Sequence, residues 1–437
     1  MSERNLNQEY AKRAKKYIPG GAHTYSKGDD QFSLNTPPVI SRGKGCELWD
    51  ADGNQYTDFA MSLGTTLLGH AYEPVLTSVR SEIEKGVNFV RPSIIEGELA
   101  ELLCDIIPCA EMVKLAKHGS DVTTAAVKLA RAYTGKEKVV RCSADPFNSV
   151  HDWFIGSTVV DRGVPSAVKA LTLQFEYNNI ASLEQLFVEQ GDEIACVLFE
   201  PVSFIPPKEG FLEQVKTLCE KYNAVLIFDE VVSGFRFSLG GAQEYCGVSP
   251  HLAAFGKAMA NGFSVSALAG KKEIMALGGI EHDSERVFLL STTHGGETHA
   301  IAAAIKTISL IRDNDYIADF WSAGSNIKSA LQNAAEQAGF AKHVSIGGYD
   351  CKPAFGLVDE QGQSCMVLRT LFLQEMAARK ILIPYIVPSL PHSKEVVGRL
   401  GAAAKETFEI MADAIKQGNL AEKINGPIVK PVFRKYN

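Results

Sequence analysis

Absences narrow this 437-residue chain before any motif does. No apolar stretch reaches the ~20 residues that a membrane-spanning helix needs. There is no excess of basic residues: 44 Lys and Arg stand against 51 Asp and Glu, a net charge of −7 that argues against a nucleic-acid or acidic-membrane partner. Nine cysteines are scattered with no CxxC pair, and no His-rich cluster accompanies them, so neither a zinc site nor a disulfide framework is expected. An odd number of cysteines in apolar surroundings fits a reducing compartment. The polar, mixed-charge start MSERNLNQEYAKRAKKY does not read as a signal peptide, and a cytoplasmic location is the expectation. Internal repeats and low-complexity tracts are also missing.

What is present is a change of rhythm along the chain. Residues Ser2 to Tyr17 read as a short amphipathic helix, stopped by Ile18-Pro19-Gly20-Gly21. From Cys46 to Asp58, polar and apolar residues alternate around Asp52-Gly53, a β-hairpin signal. From about Leu63 to Ile317, helical patterns alternate with short apolar runs such as Val139–Cys142, Cys196–Phe199, Val225–Phe228 and Leu252–Phe255. That alternation predicts a three-layer α/β/α domain with a mostly parallel sheet. After Ala318 the pattern turns to long helices with intervening strand-like runs, including Lys380 to Pro384, and predicts a smaller α+β domain. The expected organisation is an N-terminal segment (1–62) joining the small domain, a large domain (63–317) and a C-terminal small domain (318–437).

Open parallel sheets bind ligands at the carboxyl ends of their strands. Asp229 and Glu230 end the run Ala224–Phe228, Glu200 ends Cys196–Phe199, and Lys257 follows Leu252–Phe255. An acid at one strand end and a lysine at the next can face one bound cofactor. Gly119-Ser120-Asp121 opens the helical stretch Val122 to Tyr133, and the free N–H groups at such a helix start form a phosphate site. Ser and Asp equally cap helices that bind nothing. Phe147 lies in a polar loop after Val139–Cys142, where it could stack on a planar ring or simply join the core. Thr292-Thr293-His294-Gly295-Gly296 is a small polar turn.

The chain resembles the class III pyridoxal-phosphate aminotransferases of fold type I. The likeness is carried by Gly210-Phe211-Leu212-Glu213, by Leu226 to Phe237 (LIFDEVVSGFRF), by Gly241-Ala242-Gln243-Glu244-Tyr245 and by Phe255-Gly256-Lys257, in that order. Pro19-Gly20-Gly21, Trp49 to Gly53, Gly69-His70 and Lys128 to Arg131 resemble the glutamate-1-semialdehyde aminomutase branch. The resemblance implies pyridoxal 5'-phosphate as cofactor and no metal. It implies Lys257 as the amine that takes the cofactor aldehyde as a Schiff base and moves the substrate proton. Asp229 would hold the pyridinium nitrogen protonated, an attraction of about 4 kcal/mol at ~4 Å and an effective dielectric of ~20 before desolvation. Val231 would press on the ring, Gly119 and Ser120 would bind the phosphate, and Glu200 would line the floor. Thr293 matches a threonine that reaches the phosphate of the other subunit, which implies a homodimer with shared active sites.

Departures from the family pattern refine the expected reaction. Phe147-Asn148-Ser149 stands where the family has Tyr-His-Gly, so stacking survives without the phenol. The Gly/Ser-rich gate of the aminomutases is replaced by the shorter Gly156 to Pro165, and Gly295-Gly296-Glu297-Thr298 replaces the more usual Gly-Asn-Pro. An aminomutase must retain its intermediate, whereas an aminotransferase must release one product and admit another. The expectation is therefore an intermolecular aminotransferase with glutamate as donor and a small polar aldehyde or ketone as acceptor. His23, Tyr25, Lys27, Glu297 and His392 suggest a hydroxyl- and carboxylate-rich acceptor such as a sugar acid of lipopolysaccharide synthesis. The alternatives are glutamate-1-semialdehyde 2,1-aminomutase and a fold-type-I binding protein without chemistry.

Overall fold

A computed structural model describes residues 5–436. The chain divides into two compact units, one made of the residues up to Tyr72 together with Ala318–Arg434, the other of Glu73–Ile317. The first division falls after Tyr72 because residues 66–70 bond back into the N-terminal unit. His70 N donates to Gly45 O at 2.8 Å, and Leu390 N donates to Leu67 O at 2.8 Å.

In the first unit the opening helix runs Leu6–Tyr17, capped by Asn5, whose side chain accepts from Gln8 N; the expected start at Ser2 lies outside the described residues. The hairpin is confirmed as β2 (Glu47–Asp50) and β3 (Gln55–Asp58), with β1 (Ile40–Lys44) beside β2. Its turn needs Gly53 at φ +87°. The Asp50 carboxylate ties it by accepting from Asp52 N, Asn54 N and Asn54 Nδ2.

The second unit carries the large sheet. Its strands are β4 (Met112–Ala116), β5 (Lys138–Cys142), β6 (Thr172–Phe175), β7 (Ile194–Phe199), β8 (Val225–Asp229), β9 (Leu252–Phe255) and β10 (Ser266–Gly270). They lie in the order β4-β10-β9-β8-β7-β5-β6. The five strands from β9 to β6 are parallel, and β10 runs antiparallel to both of its neighbours. Back in the first unit, β11 (Val344–Tyr349) and β12 (Lys352–Leu357) form a hairpin, and β13 (Ile381–Leu382) adds to β3 in parallel.

The central strands β7, β8 and β9 are apolar at every position except Asp229 at the end of β8, because both faces are covered. Val140, Val197, Phe199, Leu226 and Phe228 pack with the helices Ile180–Gln190 and Phe211–Lys221 through Leu183, Phe187, Phe211, Leu212 and Val215. The alternate residues Val139, Cys196, Leu198 and Ile227 are equally inaccessible on the opposite face. The helix Gly119–Thr134 crosses the sheet and buries Val122, Ala125, Ala126, Leu129 and Ala130. Each fully buried Phe contributes roughly 1.5–3 kcal/mol of transfer free energy. This is a layered α/β architecture around a mostly parallel sheet, and its rigid product is the row of strand ends where the candidate site lies.

Candidate active site

Four neighbouring strands each deliver one ionisable side chain at the same edge. Read across the order β9-β8-β7-β5, these are Lys257, Asp229, Glu200 and Asp145. Successive members lie 28, 29 and 55 positions apart along the chain, but adjacent parallel strands place them side by side.

Asp229 is 3% exposed at the end of β8. Its Oδ1 accepts from Val231 N at 3.1 Å and its Oδ2 from Asn148 Nδ2 at 3.0 Å. Burial pushes its pKa up to about 7, helped by the like charge of Glu200; Asn148, Val231 N and Lys257 pull the other way. A carboxylate held this way gains from a cationic partner. Lys257 follows β9 through Gly256 and is half-buried, with φ +44°. A lysine held in the left-handed region costs roughly 1–3 kcal/mol, a cost found most often at functional sites.

The helix Gly119–Thr134 opens beside this edge. A Cβ on Gly119 would lie 2.9 Å from Val231 Cγ2, so only glycine lets the helix start approach Val231 this closely. Ser120 is buried, and its Oγ accepts from Val150 N at 3.1 Å, which leaves the hydroxyl proton to donate elsewhere. Val231 also lies 3.6 Å from the position a Cβ on Gly256 would take, so it sits between the phosphate-type turn and the approach to Lys257. Phe147 keeps a partly exposed ring, edge-on to Phe154 at 5.7 Å.

Glu230, next to Asp229, faces away from this chemistry. It accepts from Ala242 N at 2.7 Å, Gln243 N at 2.8 Å and the Ser233 hydroxyl, and so braces the loop that follows. Gly241, at φ +89°, is required there, since a Cβ would lie 2.8 Å from the Glu230 carboxyl carbon.

Two of the residues expected at the substrate are held elsewhere. Glu297 forms an ion pair with Lys117 Nζ at 2.6 Å and meets His294 Nδ1 at 2.9 Å, and the hydrogen bond from Lys117 lowers its pKa. His392 is 4% exposed, stacked on Phe59 at 4.5 Å, with Nε2 3.0 Å from Asp58 O and Nδ1 3.0 Å from Ser389 Oγ. Both of its ring nitrogens are engaged, which makes it a packing residue of the first unit. His23, Tyr25 and Lys27 are exposed in that same unit. Thr293 is exposed, and its carbonyl accepts from Asn88 Nδ2 at 2.9 Å.

Sequence reasoning missed Asp145 and gave Asn148 no role. Asn148 was visible as a departure from a familiar motif, but its contact with Asp229 was not. The one signal for Asp145 was a carboxylate three residues after an apolar strand.

A family model described as aminotransferase class-III matches residues 30–351. The chain belongs to that family. It is 35% identical over 353 residues to a protein named glutamate-1-semialdehyde 2,1-aminomutase from Geotalea daltonii, covering 78% of this chain and 82% of that one. A protein of the same name from Caldicellulosiruptor saccharolyticus is 37% identical over 318 residues, covering 70% and 73%. Among solved structures, the FumI protein of Sphingopyxis sp. superposes with a TM-score of 0.84 at 22% identity over 94% of this chain and 97% of that one. A glutamate-1-semialdehyde aminomutase from Pseudomonas aeruginosa gives 0.81 at 18% identity over 95% and 94%. The chain is thus a pyridoxal-phosphate-dependent enzyme of the class III transaminases. The residues present fit that cofactor: a glycine helix start for a phosphate, a buried carboxylate that gains from a cation, and a lysine at the next strand end. Among the described residues no helix is long and apolar enough to cross a membrane, and no group of His, Cys, Asp and Glu could hold a metal.

Proposed function

We propose that the chain is an intermolecular aminotransferase that takes an amino group from glutamate and gives it to a small polar carbonyl compound. One observation carries this reading over a mutase. The stretch Gly156–Pro165 is short and pinned: Lys169 Nζ bonds Asp161 Oδ2 at 2.6 Å, and Arg141 Nε bonds Ser157 Oγ at 2.6 Å. Such a segment leaves little chain for a gate that retains a reaction intermediate.

Pyridoxal phosphate, when bound, supplies the electron sink for the carbanion formed at the substrate Cα. The protein supplies position and protons. The N–H groups at Gly119 and Ser120, with the Ser120 hydroxyl, hold the phosphate. Val231 and Phe147 would pack on the ring, and Glu200 would line the floor of the site. Asp229 keeps the ring nitrogen protonated, and the freed Lys257 amine carries the substrate proton. In this reading Thr293 serves the phosphate of a second copy. The loop around it supports a homodimer: Asn88 ties it to a segment in which Phe89, Val90 and Ile94 are 51, 99 and 85% exposed, an apolar surface suited to a partner. A sugar-acid acceptor rests now on His23, Tyr25 and Lys27 alone, since Glu297 and His392 are engaged elsewhere.

The similarity at 35 and 37% to proteins named for aminomutase chemistry favours a second reading, conversion of glutamate-1-semialdehyde within one active site. A half-reaction screen separates the two. Glutamate should convert the bound cofactor to its amine form, and an aldehyde such as an oxidised octulosonate should restore the original spectrum. Turnover of glutamate-1-semialdehyde to 5-aminolevulinate with no external donor would replace the aminotransferase reading with the mutase.

A further inference from the structure

Three carboxylates share one buried edge, and the family reading uses only two of them. Asp145, Glu200 and Asp229 are 5, 5 and 3% exposed. Their hydrogen bonds are unequal. Asp229 accepts on both oxygens, from Val231 N and Asn148 Nδ2. Asp145 takes both of its bonds on Oδ2, from Glu200 N at 3.0 Å and from Asn148 Nδ2 at 3.4 Å. Its Oδ1 is buried with no hydrogen-bond partner.

We infer that Asp145 keeps a proton on Oδ1 through neutral pH, and that by sharing the Asn148 amide it positions Asp229 as the member that gives up its proton to meet a cationic partner. The inference rests on the reading of Asp229 as the partner of the ring nitrogen. Its logic is electrostatic. Buried like charges cannot all ionise, so the proton settles on the oxygen with the least hydrogen bonding to lose. A bare, buried carboxylate oxygen is the most expensive place for negative charge, and a hydroxyl there removes the charge without breaking any bond in the cluster.

The other charged groups agree. Glu200 and Asp229 face Asp145 as like charges and, after burial itself, hold its pKa well above the usual carboxylate range. Arg141, on β5, is the nearby cation. It spends its guanidinium on Ser157 Oγ, Ser157 O and Cys142 O, and not on Asp145. The neighbouring Cys142 thiol is pushed up to about 12 by burial and Asp145, and is neutral. Lys257 acts on the opposite side, where it favours charge on Asp229. Asn148 is the connector: one amide nitrogen reaches both acids, so the position of one carboxyl fixes the other. Asp145 is a positioning residue, acting through Asn148.

The test uses the full-length protein with and without pyridoxal phosphate. Asp145→Asn imitates the neutral acid, so in cofactor-free protein its Tm relative to wild type should rise by about 3 °C or more between about pH 5 and about pH 8, where wild type bears the rising cost of its proton. Its affinity for pyridoxal phosphate should stay within about twofold, whereas Asp145→Ala, which releases Asn148, should weaken it about tenfold. A Tm difference flat with pH overturns the inference, as does Asp229→Asn showing that pH dependence in place of Asp145→Asn. If Asp145→Asn does not fold, infrared spectra decide. A protonated-carboxyl band at neutral pH that persists in each of Asp229→Asn, Glu200→Gln and Glu230→Gln belongs to Asp145; loss of every such band in any one of them contradicts it. The cofactor-free readouts can fail while the cofactor still binds at Lys257, so failure here is distinct from failure of the proposed function.

Discussion

Lys257 and Asp229 acquire their meaning from neighbours rather than from their own chemistry. An exposed Asp titrates near 4; on this protein burial and Glu200 push Asp229 up to about 7. Asp229→Asn keeps the shape of the site but removes the charge, so pyridoxal phosphate should still bind while proton transfer at the substrate slows by on the order of 10²–10⁴-fold in single-turnover kinetics. A near-normal rate would separate Asp229 from the ring nitrogen. Gly119 offers a second test at this scale. Gly119→Ala places a methyl 2.9 Å from Val231 Cγ2, and should weaken cofactor affinity in equilibrium dialysis with little change in Tm.

At the scale of elements, the strand–turn units do the positioning, and here the sequence was only partly legible. The apolar runs marked β5, β7, β8 and β9 to within two residues, because strands buried on both faces leave few alternatives in composition. The Asp52-Gly53 turn was equally clear, since a positive φ needs glycine. Strand order was not legible: nothing in the sequence says that β5 lies beside β7, and that adjacency alone brings Asp145 to Glu200. His392 misled for a related reason. A histidine after a Pro reads as a polar loop residue until its ring is seen stacked on Phe59. Glu230 shows how an element is held. Its removal in Glu230→Ala leaves the buried Ala242 and Gln243 N–H groups unpaired, about 1–3 kcal/mol each. Urea unfolding should register that loss, and an unchanged midpoint would show that the loop needs no brace.

For the whole molecule, the buried acids make cofactor binding and pH interdependent. The Asp229 pKa is raised in the folded state, so its favourable term is fully present below the ordinary carboxylate value and is lost as pH rises toward about 7. Cofactor-free protein should therefore lose up to roughly 1.4 kcal/mol per pH unit over that window from this group. A cationic partner relieves the penalty, so the Tm gain on adding pyridoxal phosphate should be larger near pH 7 than near pH 5. The proposed dimer belongs to this scale too: Val90→Glu with Ile94→Glu should yield monomers in sedimentation and lower activity, since under that proposal Thr293 would no longer reach a second site. The most direct test of the account is chemical. Borohydride reduction of the loaded protein, followed by peptide mass mapping, should place the pyridoxyl group on Lys257 and nowhere else; attachment to another lysine, such as Lys117, or none at all, would contradict it.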